Sequence, residues 1–300
     1  MGYTDYFSFE REPFSNAPNE KFYFDSEQHR RALQRLKYSV DTDKGLAVLV
    51  GGIGTGKTTL ARRMLDNLPV DRYESSLLVI IHSDITPEWL LSRICVQLGV
   101  DKPASGQITM LKQLFNRLIE IEEEGRKAVV LIDEAQMLQT RELMEEFRGL
   151  LNLEMPGKKL LNVIFFGLPA LDEVMQLDEP LAQRVAFKYT LTPFDPLETA
   201  AYITFRLKVS GCDQSPFLPE TLPLIQSYSG GVPRLINTIC DNALFETYLR
   251  HGKVVTDGIV TSVIEDLGLK VLTPLDATAF FDRKPDDQDL EFVFDELEQK

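Results

Sequence analysis

The sequence has few residues that build cysteine or histidine sites and no long hydrophobic run. Its 300 residues include three cysteines and three histidines. An odd number of cysteines without Cys-x-x-Cys spacing argues against a disulfide framework and a structural zinc site. No apolar run approaches the ~18 residues that span a bilayer, and the first ten residues do not read as a signal peptide. We therefore expect a soluble, cytoplasmic protein.

Positive charge is also scarce. The chain has 32 Lys and Arg against 46 Asp and Glu, a formal net charge of -14. Such an acidic surface opposes association with phosphate backbones and anionic membranes, so any nucleic-acid contact needs a local basic patch. Two basic clusters are candidates, although each is also typical of a solvated helix face: Arg30, Arg31, Arg35 and Lys37, and separately Arg62 and Arg63.

Hydrophobic patterning divides the chain into three predicted parts. Residues 1–192 comprise an N-terminal segment and then near-continuous apolar runs that alternate with helical runs, which is typical of an α/β domain with a parallel sheet covered on both faces. Residues 193–270 contain four helical runs and predict a small all-helical domain. Residues 271–300 are acidic and predicted to be disordered. The apolar runs that predict strands are residues 46–50, 77–81, 128–132, 162–166 and 185–189.

A glycine-rich loop at residues 51–58 follows the first predicted strand. It reads Gly-Gly-Ile-Gly-Thr-Gly-Lys-Thr and leads into a helical run, which is the Walker A pattern in its required context. The backbone N–H groups of such a loop and the helix N-terminus bind phosphates. Lys57 is predicted to reach the β- and γ-phosphates of ATP, and Thr58 to ligate Mg²⁺. The predicted nucleotide-binding residues are Gly52, Ile53, Gly54, Thr55, Gly56, Lys57, Thr58 and Thr59.

Two carboxylates end a later apolar strand and predict a Walker B motif. Asp133 is expected to hold Mg²⁺ through water, and Glu134 to activate the water that attacks the γ-phosphate. Alone, an apolar run ending in Asp-Glu is also typical of a strand that meets a solvated turn. Its place downstream of the glycine-rich loop, with room for one intervening strand, favours the catalytic interpretation. ATP and Mg²⁺ are the predicted cofactors.

At these motifs the chain resembles the AAA+ ATPases, in the branch of ExeA-like (general secretion pathway protein A-like) secretion ATPases and related transposition ATPases. The resemblance covers residues 1 to about 270. It implies a P-loop NTPase sheet followed by a helical lid domain. The motifs that carry it beyond the two described above are Pro13-Phe14, Phe22-Tyr23-Phe24, Gln183-Arg184, Glu198 to Ile203, and Gly230 to Asn237, which reads Gly-Gly-Val-Pro-Arg-Leu-Ile-Asn.

Two arginines take roles from this resemblance. Arg234, at a predicted helix start, matches the sensor 2 arginine that contacts the γ-phosphate, although a surface arginine is also common there. Arg184 matches a trans-acting arginine finger, which stabilises transition-state charge on a neighbouring subunit's nucleotide. An arginine at a helix C-terminus is also favoured by the helix dipole. The predicted catalytic residues are therefore Glu134, Lys57, Arg184 and Arg234.

One position departs from the family pattern. Where the family usually has a polar sensor 1 residue after its fourth strand, this chain has Leu168, whose side chain cannot hydrogen-bond a water or a phosphate. We expect either slow hydrolysis or a substitute polar group such as Gln136. ATP binding is less affected by this departure than turnover.

The resemblance implies an ATPase that forms a homo-oligomer, a ring or filament, and serves the assembly of a cell-envelope secretion, pilus or exopolysaccharide system. The alternative is an ATP-switched DNA-binding regulator of the transposition-ATPase type. A protein partner could bind the acidic tail, where four apolar residues fall at helical spacing. The alternative there is a solvated tail. These four residues are Leu290, Val293, Phe294 and Leu297.

Overall fold

The computed structural model describes residues 2–17, 19–212 and 214–271. Within them the strands are β1 (Leu46–Gly51), β2 (Tyr73–Val79), β3 (Lys127–Asp133), β4 (Glu154–Met155), β5 (Lys158–Lys159), β6 (Leu161–Gly167) and β7 (Val185–Leu191). The helices are α1 (Tyr3–Tyr6), α2 (Glu27–Asp41), α3 (Lys57–Asp66), α4 (Pro87–Gln97), α5 (Gln107–Glu123), α6 (Arg141–Leu150), α7 (Leu171–Met175), α8 (Glu179–Ala182), α9 (Pro196–Val209), α10 (Thr221–Ser229), α11 (Pro233–Leu249) and α12 (Asp257–Asp266).

Five of the strands form one parallel sheet in the order β2-β3-β6-β1-β7. The register aligns Val48 of β1 with Phe165 of β6, and Phe165 with Ile132 of β3. Because the strands are parallel and aligned in this way, β1, β3 and β6 end at the same edge of the sheet. The predicted α/β fold class with a parallel sheet and a following helical part is confirmed.

The chain divides into two compact units. The sheet unit includes Gln28–Gly51 and Leu60–Leu191, and the helical unit includes the described residues of Met1–Glu27, Gly52–Thr59 and Thr192–Phe281. The glycine-rich loop therefore groups with the helical unit, although β1, which precedes it in the chain, belongs to the sheet unit.

The sheet unit has an apolar interior built on strands buried on both faces. Every residue of β1 and β6 is buried, which is the pattern of central strands covered on both sides. The ring of Phe147 on α6 meets that of Phe165 on β6 edge to face, with their centroids 4.8 Å apart. At the edge of the sheet, β7 alternates half-buried and exposed residues before Leu191.

The helical unit contains α9 to α12, close to the four helices predicted from the sequence. The start of α9 has a complete capping box: the Glu198 N–H donates to the Asp195 side chain at 2.7 Å, and Pro196 occupies the first turn. Phe9 and Phe14 of the N-terminal segment are buried in the same core. The sequence analysis grouped an N-terminal segment with the α/β domain in residues 1–192. The described residues 2–17 and 19–27 of this segment group with the helices, and their aromatic side chains pack there.

Two further expectations from the sequence concern the C-terminal tail and membrane-spanning helices. The predicted acidic tail, beyond residue 271, and its helical apolar pattern lie outside the described residues. Among the described helices, none is both long and apolar enough to cross a bilayer.

Candidate nucleotide site

The glycine-rich loop joins the end of β1 at Gly51 to the start of α3 at Lys57, as predicted. Gly54 and Gly56 have φ values of +74° and +98°, in the left-handed region that glycine adopts without a steric cost. The loop closes on itself, since the Thr55 hydroxyl donates to the Gly52 carbonyl oxygen at 2.8 Å. Strand, loop and helix therefore follow one another in the order that phosphate binding requires.

Lys57 is buried inside this loop. Its side chain is 5% exposed, and its Nζ donates to the Gly52 carbonyl oxygen at 3.0 Å. Thr58 and Thr59 follow in the first turn of α3, which carries no acidic residue. A buried ammonium group and a helix N-terminus form a donor set that suits an anionic phosphate.

The loop contacts the chain around Arg234 within the helical unit. The Arg234 backbone N–H donates to the Gly54 carbonyl oxygen at 3.4 Å. A Cβ atom on Gly54 would lie 2.8 Å from the Arg234 Cβ and 3.0 Å from the Val232 Cγ1. Glycine at this position is therefore required for close packing as well as for its backbone conformation. The Arg234 side chain is exposed, and its contact with a γ-phosphate stays a prediction.

The turn before α11 is fixed by a second glycine. Gly231 has a φ of +76°, and its carbonyl oxygen accepts a hydrogen bond from the Phe194 N–H at 2.8 Å. A Cβ atom on Gly231 would lie 1.9 Å from the Phe194 carbonyl oxygen, which is a direct overlap. Gly231 of the sequence motif thus permits two backbone segments to meet.

The two predicted acidic residues lie at the end of β3. Asp133 is fully buried, and its Oδ1 accepts a hydrogen bond from the Glu134 N–H at 3.0 Å. Glu134 has φ 55° and ψ 36°, a left-handed conformation that costs a residue other than glycine free energy and is found at functional sites. Carboxylate oxygens are the ligands that Mg²⁺ prefers, so Asp133 has suitable chemistry for this ion.

Gln136 connects Glu134 to the end of β6. Its Nε2 donates to the Glu134 Oε2 at 2.6 Å, and its Oε1 accepts from the Leu168 backbone N–H at 3.0 Å. The sequence suggested Gln136 only as a substitute polar group and did not indicate this bridge. Leu168 itself is 5% exposed.

Comparison with known proteins finds a family model that matches part of the chain. Residues 40–175 match the family described as an AAA domain. The chain is also 39% identical, over 277 residues, to general secretion pathway protein A of Aeromonas hydrophila. The match covers 89% of this chain and 49% of that protein, so the chain spans about half the length of its relative. The resemblance expected from the sequence is confirmed.

Solved structures agree with the AAA domain in fold. Cdc6p from Pyrobaculum aerophilum superposes with a TM-score of 0.64 at 16% identity, covering 96% of this chain and 89% of that chain. The ORC2 protein of Aeropyrum pernix, solved as ADPNP–ADP complexes, gives a TM-score of 0.63 at 16% identity, covering 86% and 72%. At these identities the likeness concerns the fold alone.

Arg184 lies beyond the matched AAA domain residues, between α8 and β7. Its side chain is partly buried, and its Nη1 donates to the Asn152 Oδ1 at 2.6 Å and to the Arg148 carbonyl oxygen at 3.4 Å. These bonds connect it to the residues at and just after the end of α6. Its predicted role toward a neighbouring subunit stays a prediction.

The first basic cluster has contacts within the sheet unit. The Lys37 Nζ lies 3.0 Å from the Asp41 carboxylate and donates to the Tyr73 hydroxyl at 3.1 Å. The Arg35 guanidinium lies 5.3 Å from the centre of the Tyr189 ring. Lys37 and Arg35 therefore have partners within the sheet unit, and a role of this cluster in nucleic-acid contact stays a prediction.

A buried arginine that the sequence did not single out lies in the helical unit. Arg206 on α9 is 6% exposed, and it donates to the Pro13 carbonyl oxygen at 2.5 Å and to the Ser15 carbonyl oxygen at 2.7 Å. On α11, Asn237 donates to the Asn16 Oδ1 at 3.0 Å. We call Pro13, Ser15, Asn16, Arg206 and Asn237 the N-terminal clasp.

The N-terminal clasp joins two motifs that lie far apart in the sequence. The Pro-Phe opening at residues 13–14 and Asn237 of the Gly-Gly-Val-Pro-Arg-Leu-Ile-Asn string meet in it. Burial lowers the pKa of the Arg206 guanidinium from its ordinary value, since the charged form is removed from water. The only sequence signal for the clasp was that both motifs belong to the same resemblance.

Proposed function

We propose that this chain is a Mg-ATP-dependent ATPase whose hydrolysis takes place between the subunits of a homo-oligomer. The observation that carries the proposal is that β1 leads into the glycine-rich loop while β3, which ends at the same edge of the sheet, ends in Asp133 and continues into Glu134. This is the arrangement of an α/β phosphate-transfer site, with ligand groups after the carboxyl ends of the strands.

Each residue has a defined part in the proposed reaction. Lys57 and the loop N–H groups bind the β- and γ-phosphates. Thr58 ligates the metal ion directly, and Asp133 holds it through water. Mg²⁺ supplies positive charge to the phosphate oxygens when it is bound. Glu134 orients the attacking water and accepts its proton.

Two arginines complete the proposal. Arg234 contacts the γ-phosphate of its own subunit, which is supported by the backbone contact between Arg234 and Gly54. Arg184 stabilises transition-state charge on the neighbouring subunit's nucleotide. Replacing Arg184 should leave nucleotide binding unchanged and lower hydrolysis only in the oligomer, whereas an equal loss in a dilute monomer would contradict this role.

We further propose that the activity serves the assembly of a cell-envelope secretion, pilus or exopolysaccharide system from the cytoplasmic side. The 39% identity to general secretion pathway protein A supports this role. The match covers 49% of that protein, so the present proposal concerns the ATPase part of such a system.

The first test is the rate of ATP hydrolysis by the purified chain at low salt, with and without duplex DNA. Glu134→Gln serves as the blank, and Lys57→Ala as the control that loses nucleotide binding. A rate above the blank and indifferent to DNA supports the proposal. Strong stimulation by DNA would instead support the regulator of the transposition-ATPase type.

A wild-type rate in Glu134→Gln would contradict the assignment of the base. If the wild-type protein hydrolyses ATP no faster than the Glu134→Gln blank but still binds nucleotide, the chain acts as an ATP-bound switch.

A further inference from the structure

The side chain of Gln136 is enclosed between two elements of the sheet unit. It lies in the short 3-10 turn Ala135–Met137 that follows β3, and it is 4% exposed. One end of its amide contacts the Glu134 carboxylate and the other contacts the Leu168 backbone, at 2.6 and 3.0 Å. A buried amide with both ends bonded is held in one orientation.

The chemistry of the two partners determines which way this amide points. The Leu168 N–H can only donate, so the amide oxygen must face it, and the amide nitrogen must then face Glu134. An ionised carboxylate only accepts, so it receives the N–H that this orientation supplies. Glutamine is the residue that offers a donor and an acceptor at the end of a side chain of this length.

The neighbouring backbone is shaped around this bridge. A Cβ atom on Gly167 would lie 3.0 Å from the Gln136 Oε1 and 2.9 Å from the Leu171 Cδ2. Glycine at the end of β6 therefore leaves the room that the amide occupies. On the other side, Glu134 holds its left-handed backbone while its N–H donates to Asp133. Glu134 is thus fixed through both its backbone and its carboxylate.

We propose that Gln136 is a positioning residue for the Glu134 carboxylate. Its amide is held by the Leu168 N–H after β6 and in turn sets the orientation of that carboxylate. Through this bridge the backbone N–H of Leu168 contributes to the site. The Leu168 side chain offers no polar atom. The inference rests on the proposed function, in which Glu134 activates the attacking water. A base displaced by about 1 Å loses on the order of 100-fold in rate.

Two substitutions separate positioning of Glu134 from support of β6. Gln136→Met has a similar length and removes both hydrogen bonds. Gln136→Glu keeps an acceptor for the Leu168 N–H and loses the donor to Glu134. Both should lower kcat by about 10-fold to 100-fold and leave KM within about threefold, since neither changes the glycine-rich loop. Gln139→Met, an exposed glutamine of the same segment, is the matched control and should behave as wild type.

The measurements are steady-state ATP hydrolysis by the full chain and titration with a fluorescent ATP analogue. In a Glu134→Gln background, Gln136→Met should cause no further loss of kcat, because the two residues act through one carboxylate. Wild-type kcat in Gln136→Glu would overturn the proposal and leave Gln136 as an anchor of β6. Loss of nucleotide binding in both Gln136 variants would also overturn it, since that is the signature of a structural residue.

The same data separate this inference from the proposed function. If Glu134→Gln hydrolyses ATP at the wild-type rate, the assignment of the base fails, and the bridge then has no reacting group to position. If Glu134→Gln is inactive while Gln136→Met and Gln136→Glu match wild type, the base is retained and only the positioning role is lost.

Discussion

In the sheet unit, β1 and β6 are buried along their whole length, whereas the helical unit encloses an arginine. Apolar contacts such as that between Phe147 and Phe165 are non-directional, and their strength follows the area removed from water. The bonds of Arg206 in the N-terminal clasp depend on the exact places of two carbonyl oxygens. We therefore expect the helical unit to be sensitive to the loss of a polar contact. We expect the sheet unit to be sensitive to a change in the volume of a buried side chain.

A single tryptophan lets the two units be followed separately. The chain has one tryptophan, Trp89, and it lies on α4 in the sheet unit. Its fluorescence therefore reports the sheet unit, whereas far-ultraviolet circular dichroism reports the helices of both units. A substitution that acts in the helical unit should separate the two unfolding transitions, and one that acts in the sheet unit should move the fluorescence transition.

The largest effect is expected for Gly231→Ala. The new Cβ atom would overlap the Phe194 carbonyl oxygen, and alanine at this positive φ is strained as well. We expect the helical unit to lose about 4 kcal/mol or more of stability, since such losses follow from backbone overlap at a special conformation. Denaturant unfolding should show an early loss of dichroism with an unchanged Trp89 transition.

A control for Gly231→Ala is Gly149→Ala on α6. A Cβ atom there would meet no atom within 4 Å, so alanine should stabilise the helix by up to about 1 kcal/mol. A Gly231→Ala protein with the stability of wild type would show that the Phe194 backbone can move aside, and the rigid description of this turn would be wrong.

The next effect is expected for Phe147→Ala in the sheet unit. The side chain is fully buried against Phe165, and removing such a ring costs about 3–5 kcal/mol. The Trp89 fluorescence transition should move to lower denaturant. Phe147→Leu retains most of the apolar volume and should cost less, so equal losses in the two variants would argue against volume as the cause.

A smaller effect, of about 2–3 kcal/mol, is expected for Arg206→Met in the helical unit. The variant leaves the Pro13 and Ser15 carbonyl oxygens without their donor. The bond to Pro13 is buried, and a buried group without a partner costs about 1–3 kcal/mol. The bond to Ser15 is part-buried, so its loss adds less. The dichroism transition should move while the Trp89 transition stays. Arg206→Lys keeps the charge without the planar fork and should recover only part of the loss. Full recovery would show that charge alone is required.

Much of the fold was predictable because its signals are local. The continuous apolar run at residues 46–50 is typical of a buried strand. The glycines and Lys57 that follow it are typical of a phosphate-binding loop. The capping residues Asp195 and Glu198 likewise stand three positions apart in the sequence. Each of these features depends on neighbours in the chain, which a pattern can show.

What could not be predicted depends on residues that are distant in sequence. The bridge from Glu134 through Gln136 to Leu168 requires the turn after β3 to lie beside the end of β6, which the strand order determines. Arg206 carries no motif of its own, and its role depends on carbonyl oxygens, which every residue has. Backbone partners leave no trace in side-chain patterns, so the sequence did not predict the contacts of Arg206 in the clasp.

The place of β7 at the sheet edge has a practical consequence for cutting the chain. The AAA domain match ends at residue 175, and β7, which covers one side of β1, begins at Val185. A polypeptide trimmed to the matched residues would leave β1, with its sequence Leu-Ala-Val-Leu-Val-Gly, as an open edge. An unprotected apolar edge strand pairs with strands of other chains and promotes aggregation. Boundaries for expression should therefore follow the sheet and extend beyond Leu191.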